Sequence, residues 1–173
     1  MDPVSIAHAL RRAQQVLTRK PELARHEDVP ARAVHAGGLR TDIESPLGAV
    51  LSTDLGPTLG GEGAGVPPGW LMRAGLASCL CTAVAMHAAR RGIELRRLEV
   101  QALSHSDARG LLEIEPAVSP GPLELTLEVR IEADGVDAAS LRELVTWSDA
   151  HSPVSDAMHR SLDVQLRIDT GAG

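Results

Sequence analysis

The longest apolar segment of the chain, residues 70–91, predicts a central helix. Its side chains are apolar on almost every face. Two prolines precede the segment, arginines occupy its last turn and Gly92 follows it, as is common where helices begin and end. A helix without a polar side has to be buried all round. Strands of the same chain can cover one flank, and a second copy of the helix is the simplest cover for the other flank.

Shorter segments with alternating or continuous apolar positions predict strands. Three precede the central helix, at about residues 31–36, 39–43 and 49–53, with turns at residues 37–38 and 45–48. Two follow it, at residues 95–105 and 123–131, and the second of these alternates cleanly. A final strand is predicted from apolar residues that share one face: Leu162, Val164, Leu166 and Ile168.

Two further helices complete the predicted order. Residues 2–19 form an amphipathic helix that Asp2 can cap, with Ile6, Leu10, Ala13 and Leu17 on one face. Residues 137–150 form a capped helix that the segment Ser152-Pro153-Val154 breaks. The order α-βββ-α-ββ-α-β indicates an α+β fold. We expect residues 1–24 to form an N-terminal helical extension and residues 25–173 to form the main domain.

Composition narrows the possible partners. The chain of 173 residues fits one domain with a genuine core, but it has no Phe or Tyr and only two Trp, so aliphatic side chains must fill that core. No aromatic platform for single-stranded nucleic acid can be built, and a net charge of -6 argues against a phosphate-binding surface. We therefore expect no nucleic-acid partner.

The cellular location is predicted from what the sequence lacks. The first residues contain no basic segment followed by an apolar run, so we expect no secretory signal. We also expect no segment long enough to span a bilayer, and therefore no membrane partner. Cys79 and Cys81 are the only cysteines, and they cannot form a disulfide framework. We expect a cytoplasmic protein.

Three potential sites are set aside. The glycine-rich loop at residues 59–69 lacks the Lys-Ser/Thr pair of a phosphate loop and is better explained as a hinge. Asp149, His151, Ser152 and Asp156 are residue types of a hydrolytic triad, but neighbours in sequence rarely converge as a triad does. The histidines and cysteines show no metal-ligand spacing, so neither a metal nor a cofactor is expected.

The two cysteines remain as candidate chemistry. On a helix their side chains point about 200° apart, so they act separately or serve only for packing. Reactivity at Cys79 requires a thiolate, which burial disfavours unless a cation lies close by. That cation has to come from another element, and Arg40, which follows the Gly37-Gly38 turn, is the best-placed candidate.

The run GVPPGWLMRAGLASCLCTAVAMHAARRGIELRRLEV, residues 65–100, resembles the central segment of the OsmC/Ohr family of thiol-dependent hydroperoxide reductases. Similarity extends from about residue 31 to residue 168. The resemblance implies an OsmC-like fold: a long buried helix wrapped by antiparallel strands in an intertwined homodimer with active sites at the subunit interface. It also implies that Cys79 attacks an organic hydroperoxide and becomes a sulfenic acid, while Arg40 lowers the pKa of the thiol.

The sequence departs from the family pattern at two positions. The second cysteine, which normally captures the sulfenic acid, falls on Ser152, and the acidic residue that often pairs with the arginine falls on Gly69. Two hypotheses follow. One is a one-cysteine peroxidase that an external thiol regenerates; the other is a non-enzymatic member that binds a small hydrophobic ligand or acts in stress response without turnover. A hydrolase using Ser152 is disfavoured.

Overall fold

The computed structural model describes residues 3–160 and 162–171. It confirms the α+β class, with a long central helix and antiparallel strands, in the order that follows. The elements are α1 (Pro3–Arg19), β1 (Arg32–His35), β2 (Thr41–Glu44), β3 (Val50–Thr53), α2 (Pro68–Arg90), β4 (Leu95–His105), α3 (Ala108–Leu111), β5 (Glu124–Ala133), α4 (Ala138–Ala150) and α5 (Pro153–Arg160), with 3₁₀ helices at Pro21–Ala24 and Pro57–Leu59.

Strands β1, β2 and β3 form an antiparallel sheet in chain order, as predicted. The first turn requires Gly37 and Gly38 because both have positive φ, a conformation that side chains with a Cβ rarely adopt. The apolar side chains of this sheet are poorly covered: Val34, Val50 and Leu51 are all exposed. The sheet therefore lacks a core of its own within one protomer.

Strands β4 and β5 pair in antiparallel register from Leu95 opposite Ala133 to His105 opposite Glu124. One face of this sheet packs on α2, and α4 packs on α2 beside it. Burying apolar side chains between these layers is the main force that holds the fold together. The fully buried centre consists of Leu80, Val84 and Ala88 of α2 and Leu144 of α4.

Helix α2 has two unlike flanks. The flank with Leu80 and Val84 is sealed by β4, β5 and α4, whereas Ser78 and Thr82 on the opposite flank are exposed. A Cβ placed on Gly75 of that second flank would meet no atom within 4 Å. The helix is therefore buried on one flank only within a protomer, and its other flank is available to a partner.

The same helix corrects the expectation that no segment is long enough to span a bilayer. Pro68–Arg90 is long and apolar enough to cross a membrane by length and composition alone. In this fold its sealed flank packs on a two-stranded sheet and on α4, as the core helix of a globular domain does. Length and composition cannot separate these two cases, and the packing favours the core helix.

The C-terminal region differs from the prediction in two ways. Helix α4 ends at Ala150, as the segment Ser152-Pro153-Val154 predicts, but a further helix that was not predicted follows: Pro153 occupies the first position of α5, where the missing N–H of proline costs nothing. The predicted final strand is also wrong for a single protomer, because residues 162–170 adopt no strand and Val164 is 86% exposed. No strand of the same chain pairs with this segment among the described residues.

Helix α1 docks by its N-terminal half. Ala7 is buried against the C-terminal end of α2, and Ile6 and Leu10 are half-buried. Ala13 and Leu17, on the predicted apolar face, are exposed. The predicted cap, Asp2, lies outside the described residues.

Candidate functional site

Cys79 lies where α2 meets the junction of α4 and α5. It is a free, half-buried thiol, and no hydrogen bond to its sulfur is formed within residues 3–160 and 162–171. The thiol lines a cavity of about 360 Å³, large enough for a small organic molecule. The lining residues are Ser78, Cys79, Thr82, Ala83, Met86, His87, His151 and Pro153.

Cys81 is also free and half-buried, but it is not part of the cavity wall. The two side chains leave the helix about 200° apart, as the sequence predicts. The structure therefore gives the two cysteines different surroundings.

Arg40 does not reach Cys79 within one protomer. Its Nε and Nη2 atoms donate hydrogen bonds to Asp42 Oδ1 at 3.2 and 3.1 Å, and Nη2 also lies 3.3 Å from Ser52 Oγ. The Ser52 hydroxyl and the Arg40 guanidinium together lower the pKa of Asp42. The pairing of Arg40 with Cys79 stays a prediction that requires a second protomer.

Gly69 lies at the start of α2 beside Arg73. A Cβ built on Gly69 would be 3.8 Å from Arg73 Nη1, and that guanidinium donates to Ser104 Oγ at 3.0 Å. In the family pattern, an acidic residue at the position of Gly69 often pairs with the arginine. In this chain the acidic partner of Arg40 is Asp42 instead.

Ser152 occupies the turn between α4 and α5, next to the cavity-lining His151 and Pro153. The residue is completely buried, and its Oγ has no hydrogen-bond partner in the part of the chain that the structure describes. A hydroxyl without a base and without access to solvent cannot act as a nucleophile. This burial argues against a hydrolase that uses Ser152.

The sequence analysis missed a polar cluster built on His87. The ring is buried in the α2–α4 interface, and its Nδ1 lies 2.9 Å from Ser148 Oγ. Trp147 packs edge-on against His87 with centroids 3.9 Å apart, and it stacks on His151 at 3.8 Å. The signal in the sequence was a histidine within an otherwise apolar helical run.

The cavity wall therefore combines a thiol and two imidazoles. Burial lowers the pKa of His87, and the positive charges of Arg90, His151 and Arg91 lower it further. A neutral imidazole in this position can exchange a hydrogen bond with a bound molecule.

A second, larger cavity of about 590 Å³ lies near the N-terminal end of α2. Its wall is largely apolar and includes Pro67, Pro68 and Met72, with Leu39 from the turn before β2. The loop between β4 and β5 closes the cavity, and Asp107 in that loop is held by Arg109, which lowers the Asp107 pKa to about 2.

A family model described as OsmC-like protein matches residues 61–167, which includes α2, the β4–β5 sheet, α4 and α5. No curated protein is significantly similar to the chain.

Solved structures share this architecture. The organic hydroperoxide resistance protein OsmC of Legionella pneumophila is 23% identical with a TM-score of 0.58, and the match covers 81% of this chain and 96% of that one. An OsmC-like protein of Mycoplasma pneumoniae is 15% identical with a TM-score of 0.64, covering 79% and 91%. The organic hydroperoxide resistance protein OhrB of Bacillus subtilis is 22% identical with a TM-score of 0.52, covering 82% and 98%. At these identities the likeness shows the fold alone.

Proposed function

Because the chain belongs to the OsmC-like protein family, we propose that it is a one-cysteine thiol peroxidase that reduces organic hydroperoxides through Cys79. The observation that carries the proposal is the position of Cys79 on the wall of a cavity between α2 and α5. Two of the similar structures are named organic hydroperoxide resistance proteins, which supports a peroxide-related role in stress response.

The proposed reaction begins with attack of the Cys79 thiolate on the distal oxygen of the hydroperoxide. An S–O bond forms while the O–O bond breaks, so sulfur loses two electrons and the peroxide gains them. The leaving alkoxide takes a proton and departs as an alcohol, and Cys79 is left as a sulfenic acid.

Regeneration is assigned to an external thiol, since Ser152 stands where the family places its second cysteine and a buried hydroxyl cannot form a disulfide. One external thiol condenses with the sulfenic acid, which yields a mixed disulfide and water. A second thiol attacks that disulfide, releases the reduced Cys79 thiol and leaves the reductant as a disulfide.

The working unit of the proposal is a homodimer. The open flank of α2, the uncovered β1–β3 sheet and the exposed C-terminal segment are surfaces that a second copy would bury. In that dimer we place Arg40, paired with Asp42, beside a Cys79 thiol, where its charge would stabilise the thiolate. The reaction needs no metal or cofactor.

The remaining expectations form part of the same proposal. Residues 1–24 are an N-terminal extension of a domain formed by residues 25–173, and the protein acts in the cytoplasm, where thiol reductants are abundant. Its partners are a second copy, a small hydrophobic peroxide and a thiol reductant.

Stopped-flow oxidation of the reduced protein tests the proposal. Cumene hydroperoxide and hydrogen peroxide are compared on wild type, Cys79→Ser and the matched control Cys81→Ser. We expect rapid oxidation with a preference for the organic peroxide in wild type and Cys81→Ser, and its loss in Cys79→Ser. Oxidation of both cysteines alike, no faster than that of a free thiol, would reject the peroxidase.

A second candidate is a non-enzymatic member that binds a hydrophobic ligand, and the cavity of about 590 Å³ favours it. It predicts that a small apolar ligand binds equally well to wild type and Cys79→Ser. Met72 lies on the wall of this larger cavity, so the second candidate predicts that Met72→Arg abolishes binding of the ligand. It also predicts that peroxides oxidise Cys79 no faster than they oxidise a free thiol.

A further inference from the structure

The hydrogen bonds around His87 determine which of its ring nitrogens carries a proton. Ser148 Oγ lies 2.7 Å from the carbonyl oxygen of Leu144, and a carbonyl can only accept. The single hydroxyl proton of Ser148 therefore points to Leu144. Ser148 Oγ must accept its other hydrogen bond, at 2.9 Å, from Nδ1–H of His87. In the neutral ring, Nε2 is consequently bare.

His87 lies on the wall of the Cys79 cavity. Its bare Nε2 has no hydrogen-bond partner among residues 3–160 and 162–171. Unlike Ser152 Oγ and Ser155 Oγ, Nε2 is not a fully buried polar atom without a partner, so a small molecule can reach it. The cavity wall is made largely of apolar side chains. The lone pair on His87 Nε2 therefore lacks a hydrogen bond until a donor group of a bound molecule reaches it.

Trp147 fixes the orientation of the ring. Its edge-on contact with His87, 71° between the planes, leaves the imidazole wedged between α2 and α4. His151 repeats the pattern, because its Nδ1 lies 2.7 Å from the Trp147 carbonyl oxygen and must donate to it. Two imidazoles, with centroids 6.1 Å apart, thus line one end of the cavity.

His87 lies too far from Cys79 for direct contact. Their separation of eight positions corresponds to a rise of about 12 Å along the helix, with the two side chains about 80° apart. A molecule that presents one end to the thiol therefore meets His87 with its other end.

We propose that His87 is a specificity-determining residue whose Nε2 accepts a hydrogen bond from a hydroxyl group at the far end of the substrate. The inference rests on the proposed peroxidase function and names its substrate class: organic hydroperoxides of medium chain length that carry a hydroxyl group remote from the peroxide.

The test uses ω-hydroxyoctyl hydroperoxide and its ω-methyl ether, which differ only in whether the far end can donate a hydrogen bond. We expect the hydroxyl compound to oxidise Cys79 about five- to tenfold faster than the ether, as one neutral hydrogen bond allows. In His87→Asn the two rates become equal. The Asn amide can still donate to Ser148 Oγ from the place of Nδ1, but it has no group in the place of Nε2.

Two further variants separate recognition from structure. His159→Leu, an exposed histidine on α5, should keep the full preference. His87→Gln, whose amide reaches the place of Nε2, should restore part of it. A preference that persists in His87→Asn would overturn the inference, as would two compounds that react equally with wild type.

A binding measurement distinguishes failure of the inference from failure of the peroxidase proposal. Octane-α,ω-diol and its dimethyl ether are titrated into the unreactive Cys79→Ser protein while the tryptophan fluorescence, to which Trp147 beside His87 contributes, is followed. We expect the diol to bind about five- to tenfold more tightly, with the difference lost when His87→Asn is added. Equal binding, or binding of neither compound, would overturn the inference whether or not Cys79 reacts with peroxides.

Discussion

The proposed reaction at Cys79 uses a positive charge from Arg40 of a second protomer. The thiol shares its cavity with His87 and His151, while Arg40 is held on the β1–β3 sheet by Asp42 and Ser52. These hydrogen bonds fix the orientation of the Arg40 guanidinium on the sheet surface. We therefore expect the rate of Cys79 oxidation to depend on Arg40.

Replacing Arg40 by Met should slow the oxidation of Cys79 by cumene hydroperoxide about tenfold or more near pH 7. A cation close to a thiol lowers its pKa by about 1–3 units, so its loss leaves less thiolate to react. The pH at which half the maximal rate is reached should rise correspondingly, and stopped-flow traces over a pH series measure both effects.

The matched control is Arg32→Met. Arg32 lies on β1 of the same sheet and forms an ion pair with Glu44 at 2.7 Å. The Arg32→Met variant therefore removes an equivalent surface ion pair. Equal rates in wild type and Arg40→Met would show that another group activates the thiol.

The buried His87 should make stability depend on pH. Its pKa is lower in the folded protein than in the unfolded chain, so below about pH 6.5 the unfolded state binds a proton that the folded state does not. Stability is fully present above the unfolded pKa and falls as the pH drops towards the folded pKa, by at most about 1.4 kcal/mol per pH unit for one proton.

Urea unfolding at pH 7.5, 6.5 and 5.5 measures this dependence of stability on pH. These pH values bracket the ordinary histidine pKa of about 6.5. In His87→Asn the decline between the upper and lower pH should be smaller than in wild type. Parallel curves for the two proteins would show that His87 titrates alike in both states.

At the scale of elements, the sequence predicted most of the fold because apolar periodicity reports burial within the chain. The alternation along β5 and the capped pattern of α4 appear as predicted. The segment at Pro153 ends α4 as predicted, but α5 was missed because a proline can also begin a helix. The apolar alternation from Leu162 to Ile168 predicts a strand, but a strand forms only where another backbone pairs with it, and one protomer offers none.

Candidate chemistry was harder to predict than the elements. Cys79 was found from the sequence because of its family position, and the structure places it in a cavity. The polar cluster of His87, Trp147 and Ser148 depends on contacts between α2 and α4, which are about sixty residues apart in the chain. No spacing rule within either helix predicts that meeting.

The core between α2 and α4 should tolerate little change. Leu144 is fully buried against Leu80 and Val84, so Leu144→Ala should lower the free energy of unfolding by about 2–5 kcal/mol. Leu47→Ala, at a turn residue that is 93% exposed, should change it by less than about 0.5 kcal/mol. Urea denaturation compares the two, and similar losses would contradict the assignment of the core.

For the whole molecule, uncovered apolar surface is the dominant feature. The open flank of α2, the β1–β3 sheet and residues 162–170 all leave apolar side chains in contact with water within one protomer. In the proposed homodimer a second copy of the chain covers these surfaces. In the proposed dimer, Arg40 of one protomer would approach Cys79 of the other.

A charge placed on the open flank of α2 should prevent dimerisation. Ala85 lies on that side of the helix and outside the cavity wall, so Ala85→Arg should yield a monomer in sedimentation experiments where wild type is a dimer. Thr146→Arg, on the exposed side of α4, should remain dimeric. A monomeric wild type, or a dimer that Ala85→Arg leaves intact, would place the interface elsewhere.

The most direct test of the account is to locate the oxygen after a single turnover. Reduced protein is mixed with less than one equivalent of cumene hydroperoxide, trapped with a sulfenic-acid reagent and mapped by peptide mass spectrometry. We expect one labelled residue, Cys79, together with one molecule of alcohol for each label. Label divided between Cys79 and Cys81, or alcohol formed equally in Cys79→Ser, would contradict it.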